Sequence, residues 1–252
     1  MRGMAKETAQ AAKSSAAAKK TKKEAAPIRP RAIPPLAAQA LALGGCVGVD
    51  EAGRGPLAGP VCAAAALLPE GYELPGLRDS KKVPEKERDA LAAAIRRDAL
   101  AWRIEFADCE EIDRLNILGA TMAAMARAVL GLGVDWDCAL IDGNRIPKAL
   151  EGRSIAVVKG DELIPAISAA SLLAKTARDA AMRRLDRRFP QYGFAKHKGY
   201  GTKAHLQALR EFGPTCAHRA SFSPVKEILA GQGAPENGAA APGDNASNGR
   251  GA

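Results

Sequence analysis

Three short apolar runs in this 252-residue chain end at an aspartate with a glycine nearby. Cys46-Val47-Gly48-Val49 leads into Asp50-Glu51-Ala52-Gly53-Arg54-Gly55. Cys138-Ala139-Leu140-Ile141 leads into Asp142-Gly143-Asn144, and residues 154–158 lead into Lys159-Gly160-Asp161. Runs this short and this apolar read as buried strands. Open α/β sheets place their ligands beyond the carboxyl ends of such strands, where these carboxylates lie. Two more strands are expected at 59–68 and 101–107, the second alternating through Trp102, Ile104 and Phe106. Helices are expected at 84–100, at 109–132 in two segments around Asn116, and at 167–189 with a basic far end. Three early strands, then two interleaved with helices, predict an α/β fold with a mixed sheet covered by helices.

Composition narrows the chemistry. Hydrophobic residues make up 47% and aromatics 4%, so the core must be built mainly of Ala, Leu, Ile and Val. No apolar run approaches the roughly 18 residues of a membrane span. The first 23 residues lack the apolar stretch of a secretory signal. They also favour Lys and Ala over the Arg and Ser of a transit peptide. The five cysteines form no C-x-x-C pair, which points to small buried hydrophobes in a reducing cytoplasm. Residues 1–31 hold nine Lys/Arg and two Glu, hence most of the net charge of +9. Such an arm attracts polyanions. Residues 1–35 read as a basic Ala/Lys-rich disordered tail, 36–230 as one folded domain, and 231–252 as a Gly/Ala/Asn-rich disordered tail.

If the three strands are neighbours, Asp50, Glu51, Asp142 and Asp161 converge. Like charges raise one another's pKa, so four carboxylates in a small site call for a compensating cation. Oxygen-only donors select Mg²⁺ or Mn²⁺. Histidine is confined to His197, His205 and His218, late in the chain, which disfavours zinc. Gly53 and Gly55 allow the turn that brings Asp50 and Glu51 to one site. Taken singly, each acid reads as a turn former or a helix cap. Basic groups that would position a nucleic acid without reading its sequence include Lys81-Lys82, Arg178 and the pairs at 183–184 and 187–188.

These residues resemble the ribonuclease HII family. The matching stretches are GVDEAGRGPLAGPV (48–61), DSKK (79–82), LNILGAT (115–121), LIDGN (140–144), KGDELIPAISAASLLAKTARD (159–179), HKGYGTKAH (197–205) and HRASFSPV (218–225). They fall in order across nearly the whole domain. The resemblance implies a ribonuclease H-like fold: a five-stranded mixed sheet flanked by helices, with a helical C-terminal extension. It implies that Asp50, Glu51, Asp142 and Asp161 are catalytic and bind two divalent ions, with Asp50 bridging both. It implies that Gly53-Arg54-Gly55 contacts a ribose 2′-OH through backbone groups, and that Tyr200 stacks beside the RNA–DNA junction. The 2′-OH is the group that distinguishes RNA from DNA.

The expected activity is metal-dependent endonucleolytic cleavage of RNA in RNA–DNA hybrids, and of duplex DNA containing single ribonucleotides. It leaves 3′-hydroxyl and 5′-phosphate ends and serves ribonucleotide removal during replication and repair. A cytoplasmic monomer with no membrane attachment is expected. One alternative is a non-catalytic nucleic-acid-binding protein using the basic tail, against which the acidic quartet argues. Another is a glycosidase using Asp50 and Glu51 as an acid–base pair. The basic surplus and the scarcity of aromatic sugar platforms argue against that.

Overall fold

A computed structural model describes residues 32–77 and 84–232. In chain order the elements are α1 (Pro35–Leu43), β1 (Cys46–Ala52), β2 (Val61–Leu67), α2 (Glu85–Asp98), β3 (Ala101–Ala107), α3 (Cys109–Leu130), β4 (Cys138–Asp142), β5 (Ser154–Val157), α4 (Pro165–Arg188), α5 (Phe194–His197), α6 (Lys203–Phe212) and α7 (Val225–Gln232). The first helix starts at Pro35, and the last runs to Gln232, two residues past position 230.

The sheet order is β3-β2-β1-β4-β5. β1 pairs antiparallel with β2 and parallel with β4, and β4 pairs parallel with β5, so the sheet is mixed as expected. Side chains alternate across a strand. Val47 and Val49 of β1 and Val61, Ala63 and Ala65 of β2 pack with Ile112, Met125 and Val129 of α3. On the other face Cys62, Ala64 and Ala66 pack with Leu172 and Leu173 of α4 and with Ala92 and Ile95 of α2. Fully burying one such Leu or Ile is worth about 1.5–3 kcal/mol. The alanines of β2 and Gly48 of β1 let α4 lie close to the sheet. A Cβ at Gly48 would come within 2.0 Å of the Ala166 carbonyl carbon.

Local chemistry sets the helix ends. α2 carries Glu85 and Glu87 in its first turn and Arg96 and Arg97 in its last, matching the helix dipole. The Asp108 carboxylate caps α3 by accepting from the Glu111 N–H at 2.8 Å. Asn116 breaks α3 into two segments with φ 57° and ψ 167°. Its Oδ1 accepts from the Leu118 and Gly119 N–H groups and so caps the second segment.

Two expectations are corrected. The strand that opens at Cys46 runs on through Asp50 and Glu51 to Ala52, and the turn begins only at Gly53, at φ +97°. Cys46, Cys62 and Cys109 are buried, but Cys216 is exposed rather than a core hydrophobe. No helix among the described residues is long and apolar enough to cross a membrane.

Candidate active site

The parallel pairing of β1 with β4 aligns Val49 with Ile141, so the next residues, Asp50 and Asp142, are neighbours at the strand ends. Asp50, Glu51 and Asp142 line a cleft of about 420 Å³ together with Gly53, Ser171, Lys175 and Tyr200. Asp50 shares the strand face of Gly48, toward α4, and only 6% of it is exposed. Burial, and then Glu51 and Asp142, push its carboxyl well above the usual carboxylate range. Hydrogen bonds from Ser171 and from the Glu51 N–H, at 2.7 Å, oppose that rise. Burial also raises Glu51. The nearby Arg54 opposes the shift and Asp142 adds to it. The Arg54–Glu51 pair, at 3.5 Å, is solvent-exposed on the arginine side and contributes little to stability.

Asp142 is held by backbone donors. Its Oδ1 accepts from the Gly160 N–H at 2.6 Å and lies 3.4 Å from the Asp161 nitrogen. Asp161 is buried in the turn after β5 and does not line the cleft. The structure therefore brings three of the four expected carboxylates to one cavity and sets the fourth beside Asp142. Among the described residues no group of three Asp, Glu, His or Cys side chains is gathered closely enough to hold an ion alone.

A second wall is the glycine turn, which lines the cleft through Gly53. Two arginines from distant parts of the chain hold this turn and the peptides that follow it. Arg219 is fully buried, and its guanidinium donates to the carbonyls of Gly53 at 2.6 Å, Arg54 at 2.8 Å and Gly59 at 2.9 Å. Arg178 is 2% exposed and donates to the carbonyls of Pro60 at 3.0 Å, Lys198 at 3.0 Å and Ala58 at 3.3 Å. Burial lowers both pKa values, that of Arg219 to about 10, so both stay charged at neutral pH. Arg178, expected to meet substrate, lines the cleft, and its Nε and Nη2 donate to these backbone carbonyls. Gly53 requires glycine twice over, through its positive φ and because a Cβ would fall 1.8 Å from Arg178 Nε. Gly55 does not: a Cβ there would sit 3.6 Å from Tyr200 Cε1, an ordinary contact.

Tyr200, 51% exposed, stands beside Gly55 on this wall. Its backbone is fixed by a histidine relay whose protons are dictated by its partners. His218 Nδ1 accepts from the Thr215 N–H at 3.0 Å, so its proton is on Nε2. Nε2 donates to His205 Nε2 at 3.1 Å, and His205 Nδ1 donates to the Tyr200 carbonyl at 2.9 Å. Both rings are neutral in this arrangement. Burial first, then His205, pushes His218 down to about 4. Tyr192 and Phe194, stacked at 5.3 Å, pack against these rings.

Sequence reasoning missed Ser171, Arg219 and the cations Arg88 and Lys175. Lys175 bonds the buried Asp179 at 2.6 Å, and Arg88 approaches the same carboxylate at 3.9 Å. The i, i+4 spacing of Lys175 and Asp179 was a usable signal. Lys81 and Lys82 lie outside the described residues.

The chain is similar to known proteins. The family model for ribonuclease HII matches residues 47–225. A ribonuclease HII of Neisseria meningitidis serogroup C is 61% identical over 185 residues, covering 73% of this chain and 95% of that protein. Among solved structures, ribonuclease H2 from Pyrococcus horikoshii has a TM-score of 0.63 at 22% identity, covering 73% of this chain and 97% of its own. Bst ribonuclease HIII, solved in complex with Mn²⁺, has a TM-score of 0.60 at 20% identity, covering 78% and 73%. The two structures share the fold, and the family match together with the close relative places the chain in the ribonuclease HII family, hydrolases of the ribonuclease H type.

Proposed function

We propose that this chain cleaves RNA strands in RNA–DNA hybrids, and single ribonucleotides in duplex DNA, with two divalent ions, Mg²⁺ or Mn²⁺. One observation carries the reading. Three carboxylates at adjoining strand ends share a cleft with a glycine turn and a half-exposed tyrosine. The acids suit the chemistry of phosphoryl transfer, and the other wall suits recognition of a sugar.

The donor set fits hard cations. All three cleft acids offer oxygen, and burial together with like charge disfavours their joint ionisation without a compensating ion. Mg²⁺ commonly takes only one or two protein carboxylates and fills its shell with water and substrate phosphate. A spread set of acids is thus suitable. Asp50, Glu51 and Asp142 would hold the ions, and Asp161 would join them from beside Asp142. Ser168 Oγ fixes the Asp161 backbone by donating to its carbonyl at 2.5 Å. The chemistry supplied by two bound ions is activation of the attacking water and neutralisation of charge on the leaving oxygen.

The chain's own residues supply position. Ser171 and the Glu51 N–H orient the Asp50 carboxylate. The backbone of Gly53-Arg54-Gly55 meets the ribose, and Tyr200 stacks on the sugar that follows, where DNA begins. Water attacks phosphorus on the 5′ side of the ribonucleotide, the P–O3′ bond breaks, and the ends are a 3′-hydroxyl and a 5′-phosphate. Arg88 and Lys175, anchored on Asp179, are placed to meet the phosphates that do not react. This activity would serve ribonucleotide removal from DNA in the cytoplasm, with residues 36–230 as the catalytic domain of a monomer.

The test is incubation with Mg²⁺ or Mn²⁺ and a duplex carrying one ribonucleotide. A single cut 5′ to the ribonucleotide with those end groups is expected, and none in an all-DNA duplex. Absence of cutting with either metal, or equal cutting of DNA, would overturn the reading.

A further inference from the structure

The turn that faces the cleft shows its carbonyls to the protein interior. The carbonyls of Gly53 and Arg54 both point at the Arg219 guanidinium, at 2.6 and 2.8 Å. In a trans peptide the C=O and the following N–H are antiparallel. The N–H groups of Arg54 and Gly55 therefore point away from Arg219, and the residues beside them, Gly53 and Tyr200, line the cavity. Two successive N–H groups on one side make a concave donor pair suited to an electron-rich oxygen. Arg219 is well suited to enforce this. It is 0% exposed, its own N–H donates to the Leu57 carbonyl at 2.9 Å, and its guanidinium lies 5.0 Å from the Phe222 ring centroid. Arg178, the other buried arginine, holds peptides further along, at Ala58, Pro60 and Lys198.

We infer that Arg219 is a positioning residue for ribonucleotide selection: it aligns the Arg54 and Gly55 N–H groups so that together they meet an oxygen of the ribose. This rests on the ribonucleotide reading given above. The planar guanidinium fork serves three carbonyls in fixed directions, which a lysine ammonium on a flexible stem cannot reproduce. Losing the alignment should cost selectivity first. A purely structural arginine would weaken every substrate alike.

The experiment uses the full chain carrying Asp50→Asn, so that bound duplex is not cut. Affinities are measured for two matched duplexes, one with a single ribonucleotide and one all DNA. The parent should prefer the ribonucleotide duplex. Adding Arg219→Lys should lower that preference about tenfold, the loss of roughly one net hydrogen bond, with all-DNA affinity unchanged within about twofold. An unchanged preference, or a parallel fall in both affinities, would overturn the role of Arg219. A parent with no preference would overturn the ribonucleotide reading and this inference with it. A second measurement does not depend on how Arg219→Lys folds. In the parent, hydrogen exchange at the Arg54 and Gly55 amides should slow with the ribonucleotide duplex and much less with all-DNA duplex. Equal exchange with the two would overturn the inference.

Discussion

The two walls of the cleft hold their groups by different means. On one wall Asp50, Glu51 and Asp142 are set by strand register, and burial with neighbouring negative charge raises Asp50 and Glu51. On the other wall the glycine turn is held through its backbone: Arg219 donates to its carbonyls, and Arg178, which also lines the cleft, donates to carbonyls further along. The first wall carries like-charge repulsion that a bound cation would relieve. The second is finished before any substrate arrives. Damage to the first should therefore remove chemistry at little cost to folding. Damage to the second should blur recognition and often lower stability too.

The sharpest way to break this contrast is Asp50→Asn. It keeps shape and removes one of the crowded charges. Hydrolysis should fall on the order of 10³-fold or more, the scale of losing a principal electrostatic group, while Tm holds or rises. Near wild-type cleavage would show that the acidic wall is wrongly assigned.

Tyr200 tests the other wall. Tyr200→Ala should cost roughly ten- to hundredfold in kcat/KM on a single-ribonucleotide duplex, by analogy with the removal of a stacking platform worth about 1–3 kcal/mol. Tyr200→Phe should be mild, because the ring face makes the contact. Long RNA–DNA hybrids, with many registers, should suffer less. Equal losses on both substrates would make Tyr200 a packing residue.

The histidine relay gives a pH signature to stability. His218 is depressed in the folded state, to about 4 from an ordinary 6.5, with burial as the main cause. Between those values the unfolded chain binds more protons, so stability is complete above about pH 6.5 and declines as pH falls toward 4. From pH 6.5 to 5 the decline attributable to His218 is about 2 kcal/mol, or roughly 4–8 °C in Tm for a domain of this size. His218→Gln should remove that part of the slope. If the variant and wild type lose Tm in parallel between pH 7 and 5, the neutral relay is refuted.

The smallest effect belongs to the N-terminal arm. Deleting residues 1–31, with their nine basic residues, should leave chemistry intact and flatten the salt dependence of duplex binding. The expected change in slope is about 0.9 for each phosphate that the arm neutralises. An unchanged slope would make the arm a bystander.

What the sequence disclosed follows the same division. The strand ends were legible because an apolar run followed by Asp is a local pattern, and register then made neighbours of Asp50 and Asp142. The break at Asn116 was legible because an asparagine inside a helical stretch competes for the backbone. The place of Asp161 beside Asp142 was less legible because it depends on the turn after β5, which a pattern cannot measure. Arg178 read as one of the basic groups for a polyanion and Arg219 went unnoticed, since an arginine is seldom buried without a carboxylate. Only the fold reveals the carbonyls gathered around them. The two histidines could be counted from the sequence, but the Thr215–His218–His205–Tyr200 chain of hydrogen bonds depends on tertiary contacts.

Gly48 joins the two walls through a residue that touches neither substrate nor ion. It is the point where the backbone of β1 meets the start of α4. That helix carries Ser171, which bonds Asp50, and Arg178, which packs against Gly53. A methyl group at position 48 would act like a wedge under a lever, displacing both at once. A screen for inactive variants should therefore recover position 48 alongside the acids, and the lesion would resemble a fault of chemistry although its origin is one of spacing.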